Sequence, residues 1–265
     1  MSNAIAVVIG AGSSGPGVGN GKATAIRLAQ EGATVVCADL VRETAEETVS
    51  KIVAEGGQAE TQVVDVTDES SVRTLISGVV EQYGRVDIVV NVVGVAHVGS
   101  VTELSEAEWD KMWALNLKGA AFAMKFAIPQ MVDQGGGSIV NISSIASIRY
   151  TGVPYATYYA TKAAMNHLTQ TSAAEFARSK VRINAVLPGL MKTPMVAATN
   201  SLQGAYGATD VEEMWSRRAS QVPMGEMGDA WDVAEAAVFL AGPRAKYVTG
   251  VLLPVDGGIT LGYAQ

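Results

Sequence analysis

The sequence is short of cysteine and histidine, and this shortage excludes two kinds of stabilising site. Its one cysteine, Cys37, cannot form an internal disulfide. The two histidines, His97 and His167, lie far apart and offer no Cys/His cluster for a structural zinc, so we expect no metal site. Such sparing use of cysteine is typical of a protein from a reducing compartment, which favours a cytoplasmic location.

Basic residues are also scarce. The 19 lysines and arginines are outnumbered by 26 acidic residues, which gives a net charge of −7 and a pI near 4.9. Nucleic acid and anionic membranes are recognised through clustered Lys and Arg, so we expect neither as a partner. No stretch reaches the roughly 18–20 apolar residues of a membrane helix. Residues 1–21 are uncharged but lack a cationic start and become Gly/Ser/Pro-rich, which argues against a targeting peptide.

Hydrophobic residues, by contrast, are plentiful, at 48% of the 265 positions. Short β-branched segments alternate with longer amphipathic ones, a pattern that predicts an α/β fold with a parallel sheet between two layers of helices. The predicted strands, the first six buried on both faces, are residues 5–9, 34–38, 62–64, 86–90, 138–142, 181–186 and 251–255. The predicted helices are residues 22–31, 43–55, 69–83, 106–131, 157–178 and 232–240.

Two further features complete this organisation. Pro254 favours an edge position for the last strand, because proline cannot donate a ladder hydrogen bond. The irregular residues 193–228 have the length and composition of a lid-like substrate segment. No linker or repeat divides residues 1–265, so we expect one domain, in keeping with single cores that grow to about 250–300 residues.

A glycine-rich segment with six glycines occupies residues 10–21, between the first predicted strand and the first predicted helix. Glycine lets backbone N–H groups approach a pyrophosphate at the positive end of a helix. A flexible loop is the simpler interpretation of glycine alone, and the strand-to-helix position is what favours a dinucleotide site.

The second predicted strand leads to Asp39, which lies 18 residues after Gly21. A carboxylate at this place can accept hydrogen bonds from both adenosine ribose hydroxyls, whereas a 2′-phosphate would meet like charge. We therefore expect the cofactor to be NAD. Arg42 leaves NADP open, because its guanidinium could reach a 2′-phosphate, although a surface arginine early in a helix is the commoner case.

Tyr158 and Lys162 are four residues apart on a predicted helix and so share one face. Lowering the pKa of a tyrosine from about 10 to about 7 requires roughly 4 kcal/mol. An ammonium about 4 Å away, in an effective dielectric of about 20, supplies about that much. A solvent-facing pair is the default interpretation. Ser144, just after the fifth strand, favours a catalytic one, because open α/β sheets bind ligands at the carboxyl ends of their strands.

With these motifs the chain resembles the classical short-chain dehydrogenase/reductase family, from Ala4 to Gly258. The matching positions, in family order, are the glycine-rich segment, Asp65 with Val66, residues 91–94, Asn116, Ser144, Tyr158 with Lys162, Pro188 with Gly189 and Thr193, and residues 255–258. The resemblance implies a single-domain Rossmann-type doubly wound sheet of about seven strands. It also implies an NAD-dependent oxidoreductase that interconverts a secondary alcohol and its ketone.

The resemblance implies a catalytic set of four residues, Asn116, Ser144, Tyr158 and Lys162. Tyr158 would be the general acid/base, and Lys162 would lower its pKa and bind ribose. Ser144 would hydrogen-bond the substrate oxygen, and Asn116 would hold a water that relays the proton through Lys162. Taken singly, Asn116 and Ser144 are equally well explained as structural residues.

The implied cofactor contacts span the chain. Asp65 and Val66 would bracket adenine, Asn91 would lie on the adenosine ribose side, and Met191 with its neighbours would face nicotinamide. The full implied set is Gly10, Gly19, Asn20, Gly21, Asp39, Leu40, Asp65, Val66, Asn91, Gly94, Tyr158, Lys162, Pro188, Gly189, Met191 and Thr193.

The chain departs from the family pattern in places. The glycine-rich segment is longer than usual and contains Pro16, which has no N–H to donate. We align Gly10, Gly19 and Gly21 with the family glycines and expect Asn20 as the helix N-cap; the alternative alignment uses Gly15 and Gly17. The sequence Asn-Val-Val-Gly at residues 91–94 replaces the usual Asn-Asn-Ala-Gly. The interval from Ser144 to Tyr158 is slightly longer than the pattern.

Family geometry implies a mostly apolar substrate pocket, which suits a small, cyclic or aromatic secondary alcohol. Its expected lining is Val95, Ala96, His97, Ile145, Ala146, Tyr155 and the segment beyond Pro194. His97 and Arg149 are possible polar contacts, although a loop histidine and a surface arginine are the commoner cases.

Two other functions compete with a dehydrogenase. A catalytically silent NAD-binding sensor or scaffold would predict a damaged catalytic set, whereas all four positions are filled. An enoyl reductase would space its tyrosine and lysine differently. The family usually pairs its two long helices, here residues 106–131 and 157–178, which implies a homotetramer; their small, alanine-rich faces would equally suit an intrachain core.

Overall fold

The computed structural model of the chain describes residues 1–197 and 200–262. Its strands are β1 (Ile5–Ile9), β2 (Thr34–Asp39), β3 (Gln58–Val63), β4 (Ile88–Asn91), β5 (Gly137–Ile142), β6 (Val181–Pro188) and β7 (Leu252–Val255). Its helices are α1 (Asn20–Gln30), α2 (Arg42–Ala54), α3 (Glu69–Tyr83), α4 (Glu106–Trp113), α5 (Gly119–Asp133), α6 (Ala156–Phe176), α7 (Pro194–Ala197), α8 (Asn200–Ala205), α9 (Val211–Ala219) and α10 (Ala230–Ala241). Within the described residues, no helix has the length and apolar character needed to cross a membrane.

All strand pairs are parallel, and the seven strands lie in the order β3-β2-β1-β4-β5-β6-β7. The chain first builds outward from β1 to β3 and then returns to the other side of β1 to add β4. The strand order therefore reverses between β1 and β4, and an open α/β sheet binds its ligand in the crevice at such a reversal.

Strand β1 shows why helices cover both faces of the sheet. Its side chains alternate, so that Ala6 and Val8 join one buried core while Val7 and Ile9 join another. The first core is closed by α1, α2 and α10, and the second by α3, α5 and α6. The predicted doubly wound fold with two helical layers is confirmed, and β7 with Pro254 lies at a sheet edge as expected.

The prediction was wrong for the third strand. We expected a doubly buried strand at residues 62–64, but β3 begins at Gln58 and its side chains are exposed or half-buried. Among the described residues β3 pairs with β2 alone, because it is the other edge of the sheet. An edge strand needs no continuous apolar sequence, which explains why the polar residues at its start gave no strand signal.

The predicted helix at residues 106–131 is interrupted. A capping box between Ser105 and Glu108 starts α4, and a π-helical turn, Ala114–Lys118, separates it from α5. Such turns occur frequently at functional sites because the widened backbone redirects a side chain. Here the turn carries Asn116, one of the predicted catalytic residues.

The segment at residues 193–228, expected to be irregular, is largely helical where the structure describes it; residues 198–199 lie outside the described range. Its helices α7, α8 and α9 bury Leu202, Met214 and Trp215 against Val153 and Tyr155. Short amphipathic helices were missed because glycine, serine and threonine dilute their apolar periodicity.

Arg182 on β6 ties the sheet to the end of α10. Its guanidinium donates to the carbonyl oxygens of Leu240 at 2.6 Å, Ala241 at 2.9 Å and Gly242 at 3.1 Å. Carbonyls at the end of a helix lack intrahelical donors. Oγ of Ser138 also donates to Leu240 at 3.3 Å, and the N–H of Ala245 donates to Gly242 at 3.2 Å. The half-buried arginine therefore satisfies the carboxyl end of α10.

We expect Arg182→Met to lower the free energy of unfolding by about 2 kcal/mol, because it removes the charge-assisted hydrogen bonds to the carbonyl oxygens of Leu240, Ala241 and Gly242. Urea unfolding followed by circular dichroism measures the change. Arg178→Met, at an exposed position in the turn before β6, is the matched control and should change stability by less than about 0.5 kcal/mol. Equal stability of the two variants would contradict this account of Arg182.

Candidate active site

A cavity of about 760 Å³ opens at the carboxyl ends of the strands, where the strand order reverses. Most of the predicted site residues line it. Those that do are Gly10, Gly19, Asn20, Gly21, Asp39, Leu40, Asp65, Val66, Gly94, Ser144, Tyr158, Lys162, Pro188, Gly189, Met191 and Thr193. The predicted residues that do not line it are Asn91 and Asn116.

The glycine-rich segment forms one wall of the cavity. Gly21, the second residue of α1, lies so close to the turn before it that a Cβ there would stand 1.8 Å from the carbonyl oxygen of Gly10. No side chain fits at Gly21, which is the close helix-to-strand packing that a phosphate-binding turn requires. The alternative glycines, Gly15 and Gly17, do not line the cavity.

Asn20 differs from its expected role. The N-cap of α1 is Gly19, and Asn20 is the first helical residue, without a capping hydrogen bond. Its side-chain oxygen Oδ1 is buried with no hydrogen-bond partner in the described structure. Glycine serves as an N-cap because its backbone adopts the extended geometry without strain, and this leaves the asparagine side chain at the cavity wall.

Sequence analysis missed Gly12, which joins the glycine segment to the end of β2. Its N–H donates to Oδ2 of Asp39 at 2.9 Å, and a Cβ there would stand 2.2 Å from Oγ1 of Thr44. The Gly10-Ala-Gly12 spacing was the available signal. Oδ1 of Asp39 accepts from the N–H of Val41 at 3.2 Å, so both carboxylate oxygens are fixed by backbone.

Arg42, which left NADP open, points elsewhere. Its side chain is exposed and forms an ion pair with Glu46 at 3.6 Å, one turn along α2. It does not line the cavity.

The lining fits a nicotinamide dinucleotide. The buried, unpartnered Oδ1 of Asn20 and the side-chain-free surface at Gly12 and Gly21 form a cradle beside the amino end of α1. A Cβ at Gly94 would likewise stand 2.7 Å from Nζ of Lys162. The cavity thus extends from Asp39 to Lys162, and glycine is needed at Gly12, Gly21 and Gly94 because a Cβ there would collide with neighbouring atoms.

Lys162 is the deepest polar side chain in the site, with an exposed fraction of 2%. Its Nζ donates to the carbonyl oxygen of Ile142 at 2.8 Å, at the end of β5. The same Nζ lies 5.8 Å from the ring centroid of Tyr158. Burial lowers the pKa of Lys162 to about 8, because the charged ammonium loses its hydration.

Tyr158 lines the cavity and hydrogen-bonds the side chain of Ser144. Burial raises the pKa of Tyr158, and the hydrogen bond with Ser144 opposes that rise. Nζ of Lys162 bonds the carbonyl oxygen of Ile142 and lies near the Tyr158 ring, and the lowering of the pKa of Tyr158 by Lys162 stays a prediction. The slightly lengthened Ser144–Tyr158 interval still brings the two side chains together.

Ser144 has its own local partner. It follows β5 and caps a short 3₁₀ turn, Ile145–Ser147, in which Oγ accepts from the N–H of Ala146 at 3.1 Å. This bond holds the hydroxyl at the cavity wall beside Tyr158.

The two predicted asparagines act behind the wall. Asn91 is buried and donates through Nδ2 to Oδ1 of Asn141 at 2.7 Å, which joins β4 to β5. Asn116 accepts from the N–H of Val95 at 2.8 Å and donates to the carbonyl oxygen of Val95 at 2.9 Å. Asn116 thus positions the backbone of Val95, which lines the cavity, whereas Asn91 ties the ends of two strands together. The cofactor contact of Asn91 and the water relay at Asn116 stay predictions.

The substrate end of the cavity is lined as expected by Val95, Ala96, Ile145, Ala146 and Tyr155. His97 is not part of the lining; its Nε2 lies 2.9 Å from Oε1 of Glu108. Arg149 is exposed and donates to the carbonyl oxygen of Ile259. The segment beyond Pro194 also contributes, as expected, through Met195, Val196, Leu202, Tyr206 and Arg218, whereas Thr151 was missed.

Comparison with known proteins adds three kinds of match. A family model described as Enoyl-(Acyl carrier protein) reductase matches residues 17–260. The 2,5-dichloro-2,5-cyclohexadiene-1,4-diol dehydrogenase LinX of Sphingobium indicum is 38% identical, covering 99% of this chain and 98% of its own. A (3R)-3-hydroxyacyl-CoA dehydrogenase of Canis lupus familiaris is 37% identical, covering 98% of this chain and 97% of its own.

Solved structures give the same picture. A Burkholderia xenovorans protein of the short-chain dehydrogenase/reductase class is 41% identical with a TM-score of 0.91, covering 99% of this chain and 98% of its own. Levodione reductase is 30% identical with a TM-score of 0.91, covering 99% of this chain and 100% of its own.

The depressed pKa of Lys162 predicts a pH dependence of stability. Between pH 8 and 10.5 the unfolded chain holds a proton on this lysine that the folded protein has lost, so this contribution to stability rises with pH. From pH 7 to 9.5 the native protein should gain roughly 2 kcal/mol relative to Lys162→Met. Urea unfolding of both proteins across this range, without added ligand, measures the difference. A constant difference would contradict the shifted pKa.

Proposed function

The chain belongs to the short-chain dehydrogenase/reductase family and is an oxidoreductase of hydroxyl-bearing carbons that uses a nicotinamide cofactor; from this premise we propose an NAD-dependent enzyme that interconverts a secondary alcohol and its ketone. One observation carries the proposal. Tyr158, the hydroxyl of Ser144 and the buried Nζ of Lys162 meet in one cavity at the reversal of the strand order.

Tyr158 is the general acid/base in this proposal. In the oxidising direction its phenolate oxygen accepts the proton of the substrate hydroxyl, while Ser144 holds the substrate oxygen through its own hydroxyl. When bound, the oxidised nicotinamide supplies the hydride acceptor and a positive charge. Lys162 stabilises the phenolate electrostatically and fixes ribose through donors not used by Ile142.

A pKa raised by burial is compatible with this role. The phenol stays protonated, and thus able to donate to a ketone, in the cavity as described. The opposite step is favoured by positive charge near the ring, which lowers the pKa of the phenol in addition to the hydrogen bond with Ser144. We propose that Pro188, Met191 and Thr193 face the carboxamide of the nicotinamide.

Asp39 supports NAD over NADP. Both of its oxygens are held by backbone N–H groups, so the carboxylate cannot swing away from the adenosine end of the cavity. Each oxygen retains a free lone pair for a ribose hydroxyl. A 2′-phosphate would be brought against this fixed negative charge, and Arg42 is engaged with Glu46.

The substrate class follows from the lining and from the named relatives. The pocket wall is apolar at Val95, Ile145 and Ala146 and aromatic at Tyr155. The relative from Sphingobium indicum is named for a cyclohexadiene diol, and levodione reductase is named for levodione. We propose a small, cyclic or aromatic secondary alcohol as the substrate.

Two alternatives are weaker. The matched family model is described as an enoyl reductase, but the four-residue step between Tyr158 and Lys162 favours alcohol chemistry. A catalytically silent sensor or scaffold has no observation in its favour, since the four predicted catalytic side chains are all present.

We also propose a cytoplasmic homotetramer with one domain across residues 1–265. On α6, Ala163 is exposed and leaves a small-residue surface for close helix packing. On α5, Gly119 and Ala120 are buried within the chain, where a Cβ at Gly119 would stand 2.7 Å from Cβ of Val66. The intrachain core thus accounts for the small residues of α5, and α6 is the freer face.

Tyr158→Phe should lower kcat by roughly 100- to 10 000-fold, because it removes the proton-transfer group and keeps the ring. Absorbance at the nicotinamide band with a panel of cyclic and aromatic secondary alcohols measures this, and NAD binding should be little changed. Tyr150→Phe, an exposed ring of the neighbouring loop, is the control and should keep full activity. Nearly full activity of Tyr158→Phe would contradict the proposal.

Asp39→Ala should shift the ratio of kcat/KM for NAD to that for NADP by on the order of 100-fold toward NADP. The variant removes the carboxylate that accepts hydrogen bonds from the ribose hydroxyls of NAD and that repels the 2′-phosphate of NADP. Steady-state rates with each cofactor measure the ratio. Arg42→Ala is the matched variant: the proposal predicts an unchanged ratio. A selective loss of NADP use in Arg42→Ala, with no shift in Asp39→Ala, would instead assign cofactor choice to Arg42.

A further inference from the structure

Arg218 and Lys162 are the two buried charged side chains among the described residues, and both line the cavity. Arg218 lies near the end of α9, has an exposed fraction of 5% and lines the substrate end of the pocket. Lysine and arginine are almost never fully buried unless they are paired. A buried guanidinium facing a ligand cavity therefore requires an explanation.

Aromatic rings hold this guanidinium in place. Cζ of Arg218 lies 5.4 Å from the ring centroid of Tyr206 and 5.9 Å from that of Trp215. Nη1 is 3.3 Å from the hydroxyl oxygen of Tyr206. Cation–π contacts fix the orientation of the group while they leave its charge uncompensated.

No acidic side chain neutralises Arg218 among residues 1–197 and 200–262. Its Nε is buried without a hydrogen-bond partner in that part of the chain, and no ion pair reaches the guanidinium there. The adjacent Arg217 shows the ordinary arrangement: it is half-exposed and bonds Oε1 of Glu213 at 2.6 Å. Arg217 also donates to the carbonyl oxygen of Tyr206 at 2.7 Å, so both arginines contact this residue. They differ in burial, and an acidic partner is present for Arg217 alone.

The charges along the cavity are also unevenly distributed. Four charged side chains line it among the described residues, and the two carboxylates, Asp39 and Asp65, stand at the ends of β2 and β3. Lys162 and Arg218 stand on the opposite side of the strand reversal. The guanidinium also acts on the neighbouring Tyr155, where it opposes the rise in pKa that burial causes. The substrate end of an acidic protein is therefore positive.

We propose that Arg218 recognises a carboxylate on the substrate, which makes the preferred substrate a secondary alcohol, or its ketone, that carries an acidic group. The inference rests on the proposed alcohol dehydrogenase function and deepens it. A planar carboxylate matches the fork of donors on the guanidinium, which lines the cavity, and the pair would supply the missing counter-charge. An apolar alcohol would leave the buried cation unsatisfied, and the site would select against it.

A non-reacting probe pair tests recognition separately from turnover. Isothermal titration calorimetry with NAD present compares cyclohexanecarboxylate with cyclohexanecarboxamide, which have similar shape and differ in charge. We expect the carboxylate to bind roughly 10- to 100-fold more tightly, the range of a charge-assisted hydrogen bond. Equal or tighter binding of the carboxamide by the unmodified enzyme would overturn the inference without any variant.

Three variants assign the effect to the residue. In Arg218→Met the affinity ratio should fall toward one, Arg218→Lys should restore part of it, and Arg217→Met should keep the native ratio. A native ratio in a folded Arg218→Met protein would overturn the assignment. If circular dichroism shows that Arg218→Met does not fold, the affinity ratios of the unmodified enzyme and of Arg218→Lys test the role of Arg218 instead.

Turnover then separates this inference from the proposed function. We expect a higher kcat/KM for 4-hydroxycyclohexanecarboxylate than for the corresponding carboxamide. Equal turnover of both, with no binding preference, keeps the dehydrogenase and overturns the role of Arg218. Carboxylate-selective binding that depends on Arg218, with oxidation of neither alcohol, keeps the anion site and contradicts the proposed function.

Discussion

The burial of the Lys162 ammonium is the constraint on which the site depends. A charge with an exposed fraction of 2% must be hydrogen-bonded, and the carbonyl oxygen of Ile142 at the end of β5 accepts from it. This bond fixes α6 against the sheet, and Tyr158 one turn earlier is thereby brought to Ser144. Gly94 completes the arrangement, because any Cβ there would collide with the ammonium. The buried ammonium of Lys162 thus fixes the positions of α6, the carboxyl ends of β4 and β5, and Gly94 relative to one another.

The sheet supplies the place for this chemistry. Because the strand order reverses between β1 and β4, their following loops diverge and leave a crevice that the glycine segment lines on one side. Behind it, Asn91 joins Asn141 and Asn116 holds both backbone groups of Val95. Amide side chains suit this task, since each offers donors and an acceptor in fixed geometry. The cavity wall is therefore rigid where hydride transfer needs precise placement, while its substrate end is built from short helices.

Much of this could be predicted from the sequence, for identifiable reasons. Doubly buried strands leave continuous apolar runs, so β1 was predicted with its correct ends. The edge strand β3 left no such run, and the π-helical turn at Asn116 has no periodicity of its own within the long helix. The burial of Arg218 could not be predicted from the sequence, because the neighbouring Arg217 is solvated and the sequence around the two arginines is the same. Only the packing of Tyr206 and Trp215 against Arg218 distinguishes it. Motif order located the residues, and tertiary contacts decided which of them face the cavity.

The central claim is that this cavity transfers a hydride from a carbinol carbon while Tyr158 handles the proton. Its most direct test is to incubate the enzyme with NAD and a cyclic secondary alcohol deuterated at the carbinol carbon, and to locate the deuterium by NMR of the recovered cofactor. We expect one deuterium on C4 of the nicotinamide, on a single face, with ketone formed in equal amount. Recovery of unlabelled cofactor, or release of the deuterium to water, would contradict it.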